Sequence, residues 1–135
     1  MISPAIHLTG NCSEAISLYQ KAFPLTINSI DYYRDAPPDF DSGMSDSEED
    51  LAKVMHAELT ISGSRVNMCD VKPEDVIPGN MILLNVFLDS EDDVRKAYDV
   101  LKESGKIFVE LGPQFFSSMY GSVEDRFGVR WQLIS

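Results

Sequence analysis

The chain has 135 residues, 44% of them apolar, and a formal net charge of −11. That size fits one domain or a pair of small modules, with enough apolar content for a real core. The acidic balance argues against nucleic acid and against anionic membrane surfaces, both of which select basic faces.

No segment approaches the ~20 consecutive apolar residues of a membrane span, and Met1–Leu8 lacks the basic start of a leader. The two cysteines, Cys12 and Cys69, have neither metal nor redox spacing. A cytoplasmic protein with reduced thiols is the expectation.

Ile2–Thr9 reads as a first strand. Asn11 is a good N-cap and Glu14 follows three residues later, a capping-box variant. Ala15, Ile16, Tyr19, Ala22 and Phe23 form one apolar stripe, and Pro24 ends the helix. Ile27–Tyr33 reads as a strand. Residues 35–50 then carry seven acidic side chains and no Lys or Arg. A solvated loop is the ordinary reading of such a run, and its carboxylates lack the spacing of a calcium loop.

Val54–Ile61 alternates. The expectation puts Met55, Ala57, Leu59 and Ile61 on one face and Val54, His56, Glu58 and Thr60 on the other. Ser62-Gly63 turns into Arg65–Cys69, forming a hairpin. Residues 71–80 form a linker containing Pro73, Pro78 and Gly79. Met81–Leu88 is a strand, Ser90 caps a helix with stripe Val94, Ala97, Tyr98 and Leu101, and Gly105 closes it. Lys106–Leu111 is a strand broken by Gly112-Pro113. Met119–Glu124 and Val129–Ile134 form a last hairpin around Asp125–Gly128.

The chain repeats itself. Gly63-Ser64-Arg65-Val66-Asn67 and Gly128-Val129-Arg130-Trp131-Gln132 share a Gly-x-Arg-apolar-amide pattern at an offset of 65, and Tyr19 aligns with Tyr98 at 79. The surplus between the offsets corresponds to the acidic loop. Each half is therefore strand-helix-strand-strand-strand: module one is 1–70 and module two 81–135, with the loop 35–50 inserted in the first. The fold class is α+β, two βαβββ modules whose curved mixed sheets surround a cleft, within one chain or between two.

Three strings carry a resemblance: Gly10-Asn11-Cys12-Ser13-Glu14-Ala15-Ile16 with Tyr19; Val54-Met55-His56-Ala57-Glu58-Leu59; and Tyr120-Gly121, then Val123, then Asp125-Arg126-Phe127-Gly128-Val129-Arg130-Trp131. Together they resemble the PhnB-like branch of the glyoxalase/bleomycin-resistance/dioxygenase group, the vicinal oxygen chelate superfamily. The resemblance implies two paired βαβββ modules and usually a homodimer. It also implies a small-molecule ligand, and relatives that are either metal-dependent enzymes or metal-free drug-sequestering proteins. The branch is often labelled a demethylubiquinone methyltransferase, but no glycine-rich nucleotide loop follows the first strand here.

In metal-using relatives the ligands come from the first and last strand of each module. Those positions fall here on Pro4, about Leu83, Asn67 and Gln132, two apolar residues and two neutral amides. The expectation is no metal and no other cofactor, because a divalent ion wants imidazole or carboxylate. Against that stands a Zn, Mn, Ni or Fe site using His56 and Glu58, the tentative catalytic pair. Strand alternation gives the ligand-binding candidates Ile6, Arg65, Asn67, Asn85, Phe87, Arg130 and Gln132, with Ile6 and Leu8 on the cleft side and His7 under the helix; the resemblance adds Phe116 and Tyr120 as an aromatic wall, and the two arginines could clamp a substrate carboxylate or phosphate. The ordinary alternatives are salt bridges from Arg65 to Glu58 and from Arg130 to Glu124, interface packing for Phe115 and Phe116, and inert thiols. A vestigial cleft in a purely regulatory dimer is a further alternative.

Overall fold

The computed structural model describes all residues, 1–135. It holds eight strands: β1 (Ala5–Leu8), β2 (Leu25–Tyr32), β3 (Val54–Ile61), β4 (Ser64–Asp70), β5 (Leu84–Phe87), β6 (Lys106–Gln114), β7 (Ser117–Glu124) and β8 (Arg130–Ile134). The helices are α1 (Cys12–Ala22), α2 (Glu48–Leu51) and α3 (Glu91–Leu101). The strands make two four-stranded sheets of identical topology, ordered β1-β4-β3-β2 and β5-β8-β7-β6. In each, the outer first strand runs parallel to its neighbour and the rest are antiparallel. This is the α+β glyoxalase/bleomycin-resistance fold. The chain divides into two units, Met1–Ile16 with Leu25–Ile77, and Ser17–Pro24 with Pro78–Ser135, so the dividing line runs through α1.

In the first unit, β3 and β4 meet at a two-residue turn. Ser62 and Gly63 both have positive φ, 46° and 85°, the twist that two-residue hairpins require. β3 buries Ala57, Leu59 and Ile61 as its alternation predicts, but Val54 joins them at 0% exposure. A β-bulge explains the difference. Tyr32 pairs with Val54 while Asp31 pairs with His56, so Met55 has no opposite residue and the pleat resets.

Asn11 does not cap α1 as its identity suggests: no hydrogen bond reaches its buried side-chain oxygen. Asp70 takes that role from a distant strand. One carboxylate oxygen accepts Gly10 N–H at 2.8 Å and Cys12 N–H at 3.0 Å, and the other accepts Val54 N–H at 2.9 Å. A buried carboxylate thus satisfies donors at the helix start and within the sheet.

In the second unit, α3 is capped by Ser90, whose hydroxyl accepts Asp93 N–H at 3.1 Å. Its stripe of Val94, Ala97, Tyr98 and Leu101 is buried, with the helix lying over β7 and β8. Gly121 on β7 allows this approach, since a Cβ there would lie 2.7 Å from the Tyr98 ring. Asp125, 2% exposed, organises the final turn. Its Oδ1 accepts Phe127 N–H at 2.9 Å and Val129 N–H at 3.1 Å; its Oδ2 accepts Trp131 Nε1–H at 2.9 Å and the Tyr19 hydroxyl at 2.7 Å. Tyr19 and Phe23 pack against the Trp131 ring, each at 5.0 Å between centroids.

The largest boundary differences from expectation are three. β1 and β5 are four-residue strands rather than eight, and β6 runs through Gly112-Pro113 to Gln114 instead of breaking there. The proline sits on an outer strand, where a missing N–H costs no interior ladder bond.

Candidate functional site

Each sheet buries one face, and the cross-strand register fixes which side chains share the other, more exposed face, although in the second unit that face also holds the buried Tyr120 and Ser122, 8% and 3% exposed. In the first unit, Ala5, Asn67, Glu58 and Ser29 form one row across all four strands. Arg65 lies on the next row, opposite Thr60. Its guanidinium pairs with Glu58 at 3.2 Å and reaches the Asn67 carbonyl oxygen at 3.4 Å. His56 stands exposed on the same face, opposite Asp31. Glu58 therefore turns to Arg65 rather than to His56.

Ile6 is misplaced by the sequence reading. It pairs with Met68, which is 1% exposed and belongs to the buried face. Leu8 follows it inward, and His7 takes the open face opposite Cys69. The cause is a slip of one residue: Pro4 supplies only its carbonyl, to Asn67 N–H at 2.9 Å, and Ala5 stands level with Asn67.

In the second unit, Asn85, Gln132 and Ser122 form the corresponding row. Phe87, Ile134, Tyr120 and Gly112 form the row on one side, and Arg130, Glu124 and Lys106 that on the other. Phe116 stacks edge-on against Tyr120, 5.1 Å between centroids. Arg130 donates to Glu124 at 3.1 Å and lies 4.2 Å above the Phe108 ring. Arg65 and Arg130 thus both have the carboxylate partners that alternation suggested. The register also brings in Ala5, Ser122 and Gly112, which no local motif marks.

The residues level with one another on the first and last strands are Ala5 with Asn67 and Asn85 with Gln132. These replace the Pro4 and Leu83 positions expected from the sequence. In neither unit does the pair offer imidazole or anionic oxygen, so neither pair fits the divalent ion of metal-using relatives. No three or more His, Cys, Asp or Glu gather elsewhere in a metal-holding group.

The thiols are equally unpromising. Burial, then the neighbouring Asp70 carboxylate, pushes Cys12 up to about 12, and the same two causes raise Cys69. The acidic insertion is partly neutralised from just beyond its C-terminal end. Lys53 pairs with Asp50 at 2.7 Å, and together with Ser45 and Lys72 they line an open hollow of about 430 Å³.

The model of the Glyoxalase/Bleomycin resistance protein/Dioxygenase superfamily matches residues 4–133, and the chain belongs to that superfamily. Protein YjdN of Escherichia coli (strain K12) is 27% identical over 140 residues, spanning 98% of this chain and 92% of YjdN. Two solved structures resemble it throughout. One is the PhnB protein from Bacillus cereus, a putative 3-demethylubiquinone-9 3-methyltransferase, with 25% identity, TM-score 0.78 and coverage of 98% and 97%. The other is protein PA1353 from Pseudomonas aeruginosa, with 26% identity, TM-score 0.80 and coverage of 99% and 96%. These neighbours set the chain on the PhnB-like branch of a small-molecule-binding fold. No helix is long and apolar enough to cross a membrane.

Proposed function

We propose that the protein binds a small, mainly apolar, uncharged molecule on the open sheet faces and does so without a metal ion. The observation that carries this reading is the pairing of both arginines, Arg65 to Glu58 at 3.2 Å and Arg130 to Glu124 at 3.1 Å. An anionic ligand has to displace a carboxylate already in place, so neither guanidinium is free to receive one. The first unit's face offers the neutral amide of Asn67, and the second unit's offers those of Asn85 and Gln132 with the rings of Phe87, Phe116 and Tyr120. A few fixed polar groups among apolar walls suit a neutral organic ligand.

Metal-assisted catalysis by His56 and Glu58 is the weaker reading, because Glu58 is committed to Arg65. Assembly as a homodimer is part of the proposal, and light scattering tests it: two chains per particle are expected, and a monomer at micromolar concentration overturns that part. The test of function is a thermal-shift screen of matched neutral and anionic aromatic compounds. A ligand present above its Kd raises Tm by mass action. The reading predicts stabilisation by neutral members, lost in Asn67→Ala or Gln132→Ala. Stabilisation by anions alone, or by none of the compounds, overturns it.

A further inference from the structure

Arg65 and Arg130 occupy matching places in the two modules, each two residues before a carboxamide on the same strand. Their surroundings differ. In the second unit the Arg130 guanidinium is drawn to Glu124 at 3.1 Å and over the Phe108 ring at 4.2 Å, rather than to Gln132. In the first unit Arg65 is held by Glu58 at 3.2 Å, and its Nε–H donates to the Asn67 side-chain oxygen at 3.4 Å. That bond is long for N–H···O. Its direction is nonetheless set by chemistry: a guanidinium has donors only, so the oxygen of the amide is the atom that faces it.

A carboxamide is planar, with oxygen and nitrogen on opposite sides of the Cβ–Cγ bond. With Oδ1 turned to Arg65, Nδ2 is turned away from it. The backbone of Asn67 is tied down as well, by its N–H bond to the Pro4 carbonyl at 2.9 Å and by its pairing with Glu58 on β3. Neither neighbour in the row accepts from Nδ2. Glu58 is engaged by Arg65, and Ala5, level with Asn67 on β1, has no polar side-chain atom. Asn67 is half-buried and Ala5 is exposed, so the amide keeps two unspent N–H donors on an accessible part of the face. Gln132 is under no such restraint.

We infer that Arg65 is a positioning residue: it holds Asn67 with its NH₂ group outward, so that the first unit's face selects neutral molecules bearing an acceptor oxygen, the carbonyl of a ketone, ester or amide. This rests on the small-molecule reading above and names the group by which the ligand is recognised. A carboxylate reaching the same NH₂ group would meet the negative charge of Glu58 beside it.

The test uses the full-length protein labelled with ¹⁵N, titrated with acetophenone and with α-methylstyrene, which has nearly the same shape but a CH₂ group in place of the carbonyl oxygen. The side-chain NH₂ signals of Asn67 and Gln132 are followed separately. Acetophenone should shift the Asn67 signals saturably and bind there roughly tenfold tighter than α-methylstyrene, the worth of one neutral hydrogen bond. Arg65→Ala should bring the two affinities together, and Arg65→Lys, which keeps a donor beside Oδ1, should restore the preference in part. A residue that merely supports the fold would change both affinities alike and leave their ratio alone. Equal affinities in the parent, or an unchanged ratio in Arg65→Ala, overturns the inference and leaves the small-molecule reading intact. So does acetophenone that leaves Asn67 unperturbed while another neutral compound of the screen binds. If no neutral compound binds at all, both fall.

Discussion

Tyr19 donates its hydroxyl to Asp125 at 2.7 Å, joining the first helix to the turn before the last strand. The same carboxylate oxygen accepts Trp131 Nε1–H, so the largest buried ring is held by polar as well as apolar contacts. Removing one partner of a buried network costs more than the bond itself, because the others are left unsatisfied. Asp125→Ala is expected to lower stability by roughly 3 kcal/mol or more and Tyr19→Phe by roughly 1–2 kcal/mol. Urea denaturation of the two variants checks the order.

Cys12 gives a pH dependence with a defined sign. Its thiol ordinarily ionises near 9.0 and in the fold near 12. Below 9 both states keep the proton and the fold retains the full contribution. Between about 9 and 12 the unfolded thiol loses its proton first, so stability falls as pH rises. Cys12→Ala should flatten that fall relative to the parent. Native protein should also resist thiol reagents at Cys12 at pH 8 until it unfolds.

The glycines separate into two groups by what surrounds them. A Cβ at Gly105 runs into the Glu124 carbonyl, and one at Gly121 into the Tyr98 ring. Gly105→Ala and Gly121→Ala should each destabilise by about 1–3 kcal/mol, the usual range for overpacking. Gly112→Ala should be neutral or slightly stabilising, since alanine restricts the unfolded chain. Thermal unfolding of the three alanine variants distinguishes them.

Much of this architecture was legible before any coordinates. The repeat of Gly-x-Arg-apolar-amide marked the two hairpins, and period-two alternation put Arg130 with Gln132 and Asn85 with Phe87. What escaped were non-local events. The Met55 bulge is hidden because Val54 and Met55 are both apolar, so either phase of the strand fits. β1 is short, and Ile6, His7 and Leu8 give its register little to distinguish one face from the other. Asp70 caps a helix 58 residues away in sequence, which no capping pattern read around Asn11 can reveal. Gly112 looked like a strand breaker because Pro113 follows it.

Freeing an arginine should reverse the charge preference of the first unit's face. In Glu58→Gln the Arg65 guanidinium loses its ion-pair partner and becomes available to a carboxylate or phosphate. Phenyl phosphate should then raise the Tm of the variant while leaving the parent unchanged. Equal response in both proteins would show that the Arg65–Glu58 pair does not govern anion binding.

Titration calorimetry of the chelator-treated protein with Zn²⁺, Mn²⁺, Ni²⁺ and Fe²⁺, the last under anaerobic conditions, addresses the central claim most directly. Faces built on Ala5, Asn67, Asn85 and Gln132 should take up no stoichiometric ion at micromolar concentration. One equivalent bound per chain, and lost on Asn67→Ala or Gln132→Ala, would contradict the account.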